Sequence, residues 1–144
     1  MILLKDNIKY IDRTPEKGKK YFQAIECHNI ETSNNLRTTV LIINIYIPTD
    51  EKDMAMGKII AFLEASLKCH KQYEIIMGGD FNSTREHQIF KLLEKYYTIK
   101  FIGDEVEGPT RSQKYGQEIQ ESRIDFIISN KQPKEFKIEK TFST

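Results

Sequence analysis

The chain has 144 residues, of which 39% are hydrophobic and 30% charged, and its 22 Lys and Arg residues nearly balance 21 Asp and Glu residues. This length suits one compact domain, and the apolar fraction is sufficient for a packed core, which excludes wholesale disorder. The near-zero net charge excludes a histone-like basic coat but not a local basic groove, and no apolar run reaches the roughly 18 residues of a membrane span.

The first third of the chain predicts strands. Residues Ile2 to Leu4 are apolar and predict a short strand, and the rough alternation of apolar and polar residues from Tyr21 to His28 is typical of a strand with one wet face. The segment Thr38 to Ile47 is β-branched, almost continuously apolar and stopped by Pro48. It predicts a central strand that is buried on both faces.

The middle of the chain predicts two helices with a strand between them. Apolar residues recur on one helical face from Asp53, which is a suitable N-cap, to His70, and Glu74 to Met77 predicts a short buried strand. Ser83 and Glu86 have the spacing of a capping box, so they predict where the second helix begins. The two apolar stripes are Met56, Ile59, Ile60, Leu63 and Leu67, then Ile89, Leu92, Leu93 and Tyr96.

The last third predicts strands separated by polar loops. We expect strands over Ile99 to Ile102, Arg123 to Ser129 and Phe136 to Phe142, and loops over Gly103 to Gln113 and Tyr115 to Glu121. The order of strands, helix, strand, helix and strands is typical of a layered α/β fold. Because no linker-like segment divides it, residues 1–144 are predicted to form a single domain.

The two cysteines, Cys27 and Cys69, match neither a disulfide framework nor the spacing of a zinc site. The opening residues become charged too soon for a secretion signal. We therefore expect reduced thiols in an intracellular protein, with nucleus and cytoplasm both open.

Asp80 and Asn82 follow a buried strand at Gly78-Gly79-Asp80-Phe81-Asn82. If the extended geometry continues, these two side chains point to one side and Phe81 points to the other. A carboxylate and an amide then meet at the carboxyl edge of a sheet, where α/β proteins commonly bind ligands. The alternative is an Asx-rich turn that caps the next helix.

Two other strands end with polar side chains on one face. Asn44 and Tyr46 share a face at the end of the strongest strand, and Arg123 and Asp125 share a face where a later strand begins. The alternatives are a core tyrosine whose hydroxyl finds a partner and a structural Arg–Asp pair.

Taken together, the segments NIYIPTD, GGDFN, GPT and SRIDFI follow one another with plausible helix and loop lengths between them. In this order they resemble the motifs of the endonuclease/exonuclease/phosphatase superfamily, the deoxyribonuclease I-like fold. The residues of these motifs are most similar to those of exonuclease III-like endonucleases, including those of LINE-type retrotransposons. The resemblance implies a four-layer α/β sandwich that hydrolyses phosphate esters with a divalent cation, Mg²⁺ or Mn²⁺.

The resemblance also implies roles for single residues. Asp80 would orient or deprotonate the attacking water, the Asn82 amide would donate to a phosphoryl oxygen, and the Tyr46 hydroxyl would hold the phosphate. Asp125 would orient a histidine. Thr110 and Asn44 would lie at the phosphate, and Asp80 and Asn82 would be the metal ligands that the sequence contains.

The sequence departs from the family pattern at both ends. The family's metal-binding glutamate belongs to an N-terminal portion that precedes the strand resembling Ile2 to Leu4, and its closing Ser-Asp-His would follow Lys137 to Phe142. We therefore expect a partial sandwich without the N-terminal strands and the last motif, and an impaired enzyme. None of the three histidines, His28, His70 and His87, occupies the catalytic position.

The resemblance predicts a DNA endonuclease domain that binds nucleic acid and no membrane. Two other functions remain open at this stage. One is a non-catalytic nucleic-acid-binding or interaction remnant, and the other is a phosphoesterase of the same superfamily that acts on small molecules. The composition gives no indication of the oligomeric state.

Overall fold

The computed structural model describes residues 2–31, 37–69, 73–102, 109, 111–122 and 124–131. Within these ranges the chain forms eight strands and two helices. They are β1 (Tyr10–Asp12), β2 (Phe22–Glu31), β3 (Arg37–Tyr46), α1 (Lys52–Cys69), β4 (Glu74–Asp80), α2 (Gln88–Tyr97), β5 (Lys100–Phe101), β6 (Arg111–Tyr115), β7 (Glu118–Ser122) and β8 (Asp125–Ser129).

Six strands form one mixed sheet in the order β1-β2-β3-β4-β8-β5, and β6 and β7 form a separate two-stranded hairpin. Strands β3 and β4 are parallel, as their connection through α1 requires, and the other pairs in the sheet are antiparallel. The α/β class predicted from the order of elements is therefore confirmed.

One face of this sheet carries the core. Alternate residues of β3, among them Leu41, Ile43 and Ile45, belong to the same buried cluster as apolar residues of both helices. The helical members of the cluster are Ala55, Met56, Ile59 and Leu63 of α1 and Ile89, Phe90 and Leu93 of α2. Both helices thus pack on the same face, as expected when amphipathic helices bury their apolar stripes against a sheet.

The opposite face of β3 becomes more exposed towards its carboxyl end. Val40 is buried, Ile42 and Asn44 are half-buried, and Tyr46 is 57% exposed. The prediction that this strand is buried on both faces is therefore wrong for its second half. The polar residues noted in the sequence lie on this more open face.

Several predicted boundaries are wrong. Ile2 to Leu4 is not a strand, and Asp53 lies within the first turn of α1 instead of capping it. Helix α2 begins at Gln88, five residues after Ser83, and its N-cap is His87, whose Nδ1 accepts the Ile89 N–H at 3.2 Å. The capping box therefore does not form.

The polar segment before β8 forms strands where loops were expected. Strands β6 and β7 pair through five register partners around a turn at Gly116, which has a φ of +63°. In α2, Ile89 and Leu93 are buried as predicted, but Leu92 and Tyr96 are exposed and Phe90 is buried in their place. The predicted strand Phe136 to Phe142 lies outside the described residues.

A buried ionic network joins three segments on the helix side of the sheet. Glu26 is 3% exposed, and its carboxylate accepts hydrogen bonds from Arg13 Nε and, at 2.6 Å, from the Tyr73 hydroxyl. Burial alone would raise the pKa of Glu26, but these two hydrogen bonds outweigh it and hold the pKa below its ordinary value. Burial and the bond to Glu26 raise the pKa of Tyr73 to about 12.

Both cysteines are free thiols in the structure. Cys27 is buried in β2, where burial raises the pKa of its thiol, whereas Cys69 is exposed at the end of α1.

Candidate functional site

Tyr46, Asp80 and Asp125 lie side by side across three neighbouring strands. Tyr46 of β3 is the register partner of Asp80 at the end of β4, and Asp80 is the register partner of Asp125 at the start of β8. Register partners project to the same face, and neighbouring strands are about 4.8 Å apart, so the row spans about 10 Å. The structure thus brings these three predicted residues together. We call them the polar row.

The polar row lies on the face opposite the helices. Tyr46 is more than half exposed, and both aspartates are half-buried. A hydroxyl and two carboxylates therefore lie on one rung of the sheet, and oxygen atoms are the ligands that Mg²⁺ prefers.

The backbone beyond Asp80 leaves the extended conformation at once. Asn82 has a φ of +46°, its N–H donates to Asp80 Oδ1 at 2.9 Å, and its side-chain amide donates to the Ile47 carbonyl. The prediction that Asp80 and Asn82 point to one side requires an extended strand. The strand is not extended at Asn82, so this prediction does not hold there. The first bond is an Asx turn, as in the alternative interpretation, but His87 and not this turn caps α2.

Phe81 points away from the polar row and anchors the turn in the core. It is 1% exposed, and its ring lies 5.2 Å from that of Phe90 and 6.2 Å from that of Phe126, measured between centroids. Its backbone N–H donates to the Ile124 carbonyl at 3.0 Å. The predicted opposition of Phe81 and Asp80 is therefore observed, and the core fixes where Asp80 stands.

Gly79 allows β3 and β4 to approach closely beside the polar row. Its φ is +134°, and a Cβ built at this position would lie 2.1 Å from the carbonyl oxygen of Ile45. No other residue type fits there without moving the strands. The sequence showed two consecutive glycines, but only the register with β3 reveals which of them the site requires.

The remaining predicted residues divide into three cases. Asn44 lies two residues before Tyr46 on the same face, half-buried and in register with Gly78. Thr110 and Arg123 lie outside the described residues, so their predicted roles stay predictions. His87 and His28 lie elsewhere, at the N-cap of α2 and beside Glu26, where His28 Nε2 is 4.0 Å from Oε1.

The donor set at the polar row is small. Within the described ranges, no group of three or more His, Cys, Asp or Glu side chains is placed to hold a metal ion. Mg²⁺, however, usually keeps several waters and takes only one or two protein carboxylates together with substrate phosphate. The facing carboxylates of Asp80 and Asp125 meet this lower requirement, so the residues fit a hydrated magnesium ion.

Sequence reasoning missed two features of the structure. One is the Ile47 carbonyl as the acceptor for Asn82, which depends on contact across strands and leaves no local pattern. The other is the β6–β7 hairpin, which ends three residues before Asp125 and presents exposed Tyr115 and Ile119. Gly116 was the available signal for its turn.

Comparison with solved structures identifies the fold. Truncated TDP2 from Caenorhabditis elegans matches with a TM-score of 0.52 at 11% identity, covering 85% of this chain and 52% of that one. A second C. elegans TDP2 structure matches with a TM-score of 0.52 at 12% identity, covering 85% and 40%. The human Nocturnin catalytic domain with bound sulfate matches at a TM-score of 0.45 and 15% identity, covering 89% and 43%.

No model of a protein family and no curated protein sequence matches the chain. The chain spans 40% to 52% of the length of the three structures. None of the described helices is long and apolar enough to cross a membrane. At these identities the likeness shows the fold alone. The deoxyribonuclease I-like fold predicted from the motifs is therefore confirmed, and membership of the superfamily stays a prediction.

Proposed function

We propose that this chain is a phosphodiester hydrolase domain of the endonuclease type that acts on DNA with Mg²⁺ or Mn²⁺. The observation that carries the proposal is the polar row, because a tyrosine hydroxyl and two facing carboxylates share one rung of the sheet. The fold shared with TDP2 and the order of the four motifs support it.

Each residue then has a part in the attack of water on phosphorus. Asp80 orients the water and accepts its proton, and the Tyr46 hydroxyl donates to a phosphoryl oxygen. As the water oxygen bonds to phosphorus, the P–O bond to the leaving oxygen breaks, and that oxygen takes a proton from solvent. Asn82 donates to the same phosphate after its amide leaves the Ile47 carbonyl. Asp80 and Asp125 would hold the cation, which supplies neutralisation of the negative charge on the phosphate.

We expect slow turnover. In the described part of the chain no histidine lies at the polar row, and His87 is engaged as an N-cap. A positioned acid–base group typically contributes about 10²–10⁴-fold to a rate, and no described histidine makes this contribution at the polar row. Measurable hydrolysis therefore requires high enzyme concentration and long incubation.

The test measures both hydrolysis and the effect of Mg²⁺ on the melting temperature. Supercoiled plasmid, an abasic-site oligonucleotide and p-nitrophenyl phosphate are incubated with the protein at increasing Mg²⁺, and the melting temperature is recorded at each concentration. We expect plasmid or oligonucleotide cleavage that chelator abolishes, and a melting temperature that Mg²⁺ raises.

Asp80→Asn and Asp125→Asn should each remove the effect of Mg²⁺ on melting, and Asp80→Asn should abolish cleavage. Asp53→Asn is the matched control, since Asp53 is an exposed aspartate on α1. If the protein cleaves p-nitrophenyl phosphate but not DNA, its substrate is a small phosphoester and the DNA part of the proposal is wrong. Salt-sensitive DNA binding without cleavage or Mg²⁺ stabilisation would show a non-catalytic binding domain and refute the proposal.

A further inference from the structure

Ser83 carries a buried hydroxyl that has no hydrogen-bond partner among the described residues. The residue is 5% exposed, and its Oγ is fully inaccessible to solvent. Buried polar side-chain atoms are bonded in the large majority of cases, because an unpaired one loses its bonds to water without replacement. An exception beside a candidate site therefore needs a reason.

The obvious structural reason does not apply to Ser83. Its spacing to Glu86 would suit an N-cap, but α2 begins at Gln88 and is capped by His87. The hydroxyl therefore serves neither the helix nor any other described group. It follows directly on Asn82, the residue that must move if the proposed function is correct.

Movement of Asn82 would leave a backbone carbonyl without a hydrogen-bond donor, and a second donor could replace it. In the free protein its amide donates to the Ile47 carbonyl. If the amide turns to a phosphate, that carbonyl loses its donor in a half-buried region, which is unfavourable. Ser83, one residue further along the same turn, has an unused O–H donor.

We propose that Ser83 is a positioning residue that supplies the hydrogen bond to the Ile47 carbonyl when Asn82 releases it to bind a phosphate group. This inference rests on the proposed function. In the free protein the hydroxyl finds no partner in the described part of the chain, and in the phosphate-bound protein it stabilises the released conformation of Asn82. Ser83 thus contributes to binding without touching the ligand.

The test separates the free state from the bound state. Melting temperatures are measured for the full chain, Ser83→Ala and Thr14→Val, with and without inorganic phosphate at saturating Mg²⁺, and phosphate affinity is measured by calorimetry. Thr14 is the matched control, because its hydroxyl accepts the Ala24 N–H at 2.9 Å and lies far from Asn82 in the chain.

We expect Ser83→Ala to leave the ligand-free melting temperature unchanged or raised, while phosphate affinity falls by about threefold to tenfold, the value of one neutral hydrogen bond. Thr14→Val should lower the ligand-free melting temperature and leave phosphate affinity unchanged. In the NMR spectrum, phosphate should shift the side-chain amide signal of Asn82 in the natural protein, and less so in Ser83→Ala. If Ser83→Ala does not fold, Ser83→Cys replaces it in the test, because cysteine has a similar side-chain volume but is a weaker hydrogen-bond donor.

Two outcomes would overturn the role of Ser83 alone. The first is a ligand-free melting temperature that Ser83→Ala lowers as much as Thr14→Val does, since the hydroxyl would then be bonded in the free protein. The second is unchanged phosphate affinity in Ser83→Ala while Asp80→Asn abolishes binding, which leaves the proposed function intact. Absence of phosphate binding by the natural protein overturns both proposals together.

Discussion

Carboxylates occur in two different settings in this protein. Glu26 is buried on the helix side of the sheet, and its carboxylate accepts hydrogen bonds from Arg13 and Tyr73. Asp80 and Asp125 are half-buried on the other side, where they face each other across neighbouring strands. The first setting satisfies its charge within the fold, whereas the second brings like charges together.

This contrast separates stability from function. A buried carboxylate with two donors is costly to disturb, because either partner left behind would be unpaired. Asp80 and Asp125 are only half-buried, so solvent screens part of their charge and each contributes less to folding. Substitutions should therefore affect the stability of the protein more at Glu26 than at Asp80.

The largest expected effect is on the backbone that supports the polar row. Gly79→Ala would place a Cβ against the Ile45 carbonyl, so we expect a loss of about 4 kcal/mol or more in the free energy of unfolding. Gly78→Ala is the matched control, because its Cβ would meet Ile127 at an ordinary 3.5 Å. Urea denaturation compares the two, and equal losses would show that the close approach of β3 and β4 is not required.

The next effect concerns the buried network. Glu26→Gln should lower the free energy of unfolding by about 3 kcal/mol, because Arg13 and Tyr73 lose the charge that they bind. Asp80→Asn should change it by less than about 0.5 kcal/mol, because the asparagine Oδ1 can still accept the Asn82 N–H. Urea denaturation of both variants at low salt measures the difference, and similar losses would remove the contrast between the two settings.

The network also predicts how stability depends on pH. The pKa of Glu26 is lowered in the folded protein, so its contribution is present at neutral pH and is lost as the pH falls through the folded pKa. The pKa of Tyr73 is raised to about 12, so its contribution is present below about pH 10 and is lost as the pH rises towards 12.

Tyr73→Phe should remove the alkaline part of this dependence and weaken the acid part. The difference in melting temperature between the natural protein and this variant, followed from pH 3 to pH 12, isolates the network from other titrating groups. A difference that does not change with pH would contradict the assignment.

The smallest effect concerns the N-cap of α2. His87→Ala should cost about 1 kcal/mol, because the imidazole acceptor for the Ile89 N–H is lost, and His87→Asn should restore most of it. Phosphodiester hydrolysis, measured at equal folded fraction, should not change in either variant. A fall of tenfold or more would give His87 the acid–base role that its position at the cap argues against.

The sequence predicted those parts of the fold that local patterns determine. The helical period located α1 to within one residue, and the β-branched run located β3, because burial on one face imposes these periods on the chain. The hairpin β6–β7 was missed because its strands are polar and exposed and carry no apolar alternation.

The site was predictable only in part, for a related reason. The motifs indicated Tyr46, Asp80 and Asp125 one at a time, but their meeting depends on the register of three strands that lie far apart in the sequence. The network around Glu26 was missed because a glutamate in an alternating strand is normally placed on the wet face. Asn82 turned away because the strand ends at Asp80, and no alternation rule applies beyond that point.

A single rung of the sheet holds the three side chains of the polar row, so backbone hydrogen bonds set their mutual spacing. The β6–β7 hairpin, by contrast, precedes β8 in the chain and pairs with no strand of the sheet in the described residues. The spacing of the three side chains is therefore independent of the hairpin. Residues 111–122 could be exchanged for another ribbon while Tyr46, Asp80 and Asp125 keep their places.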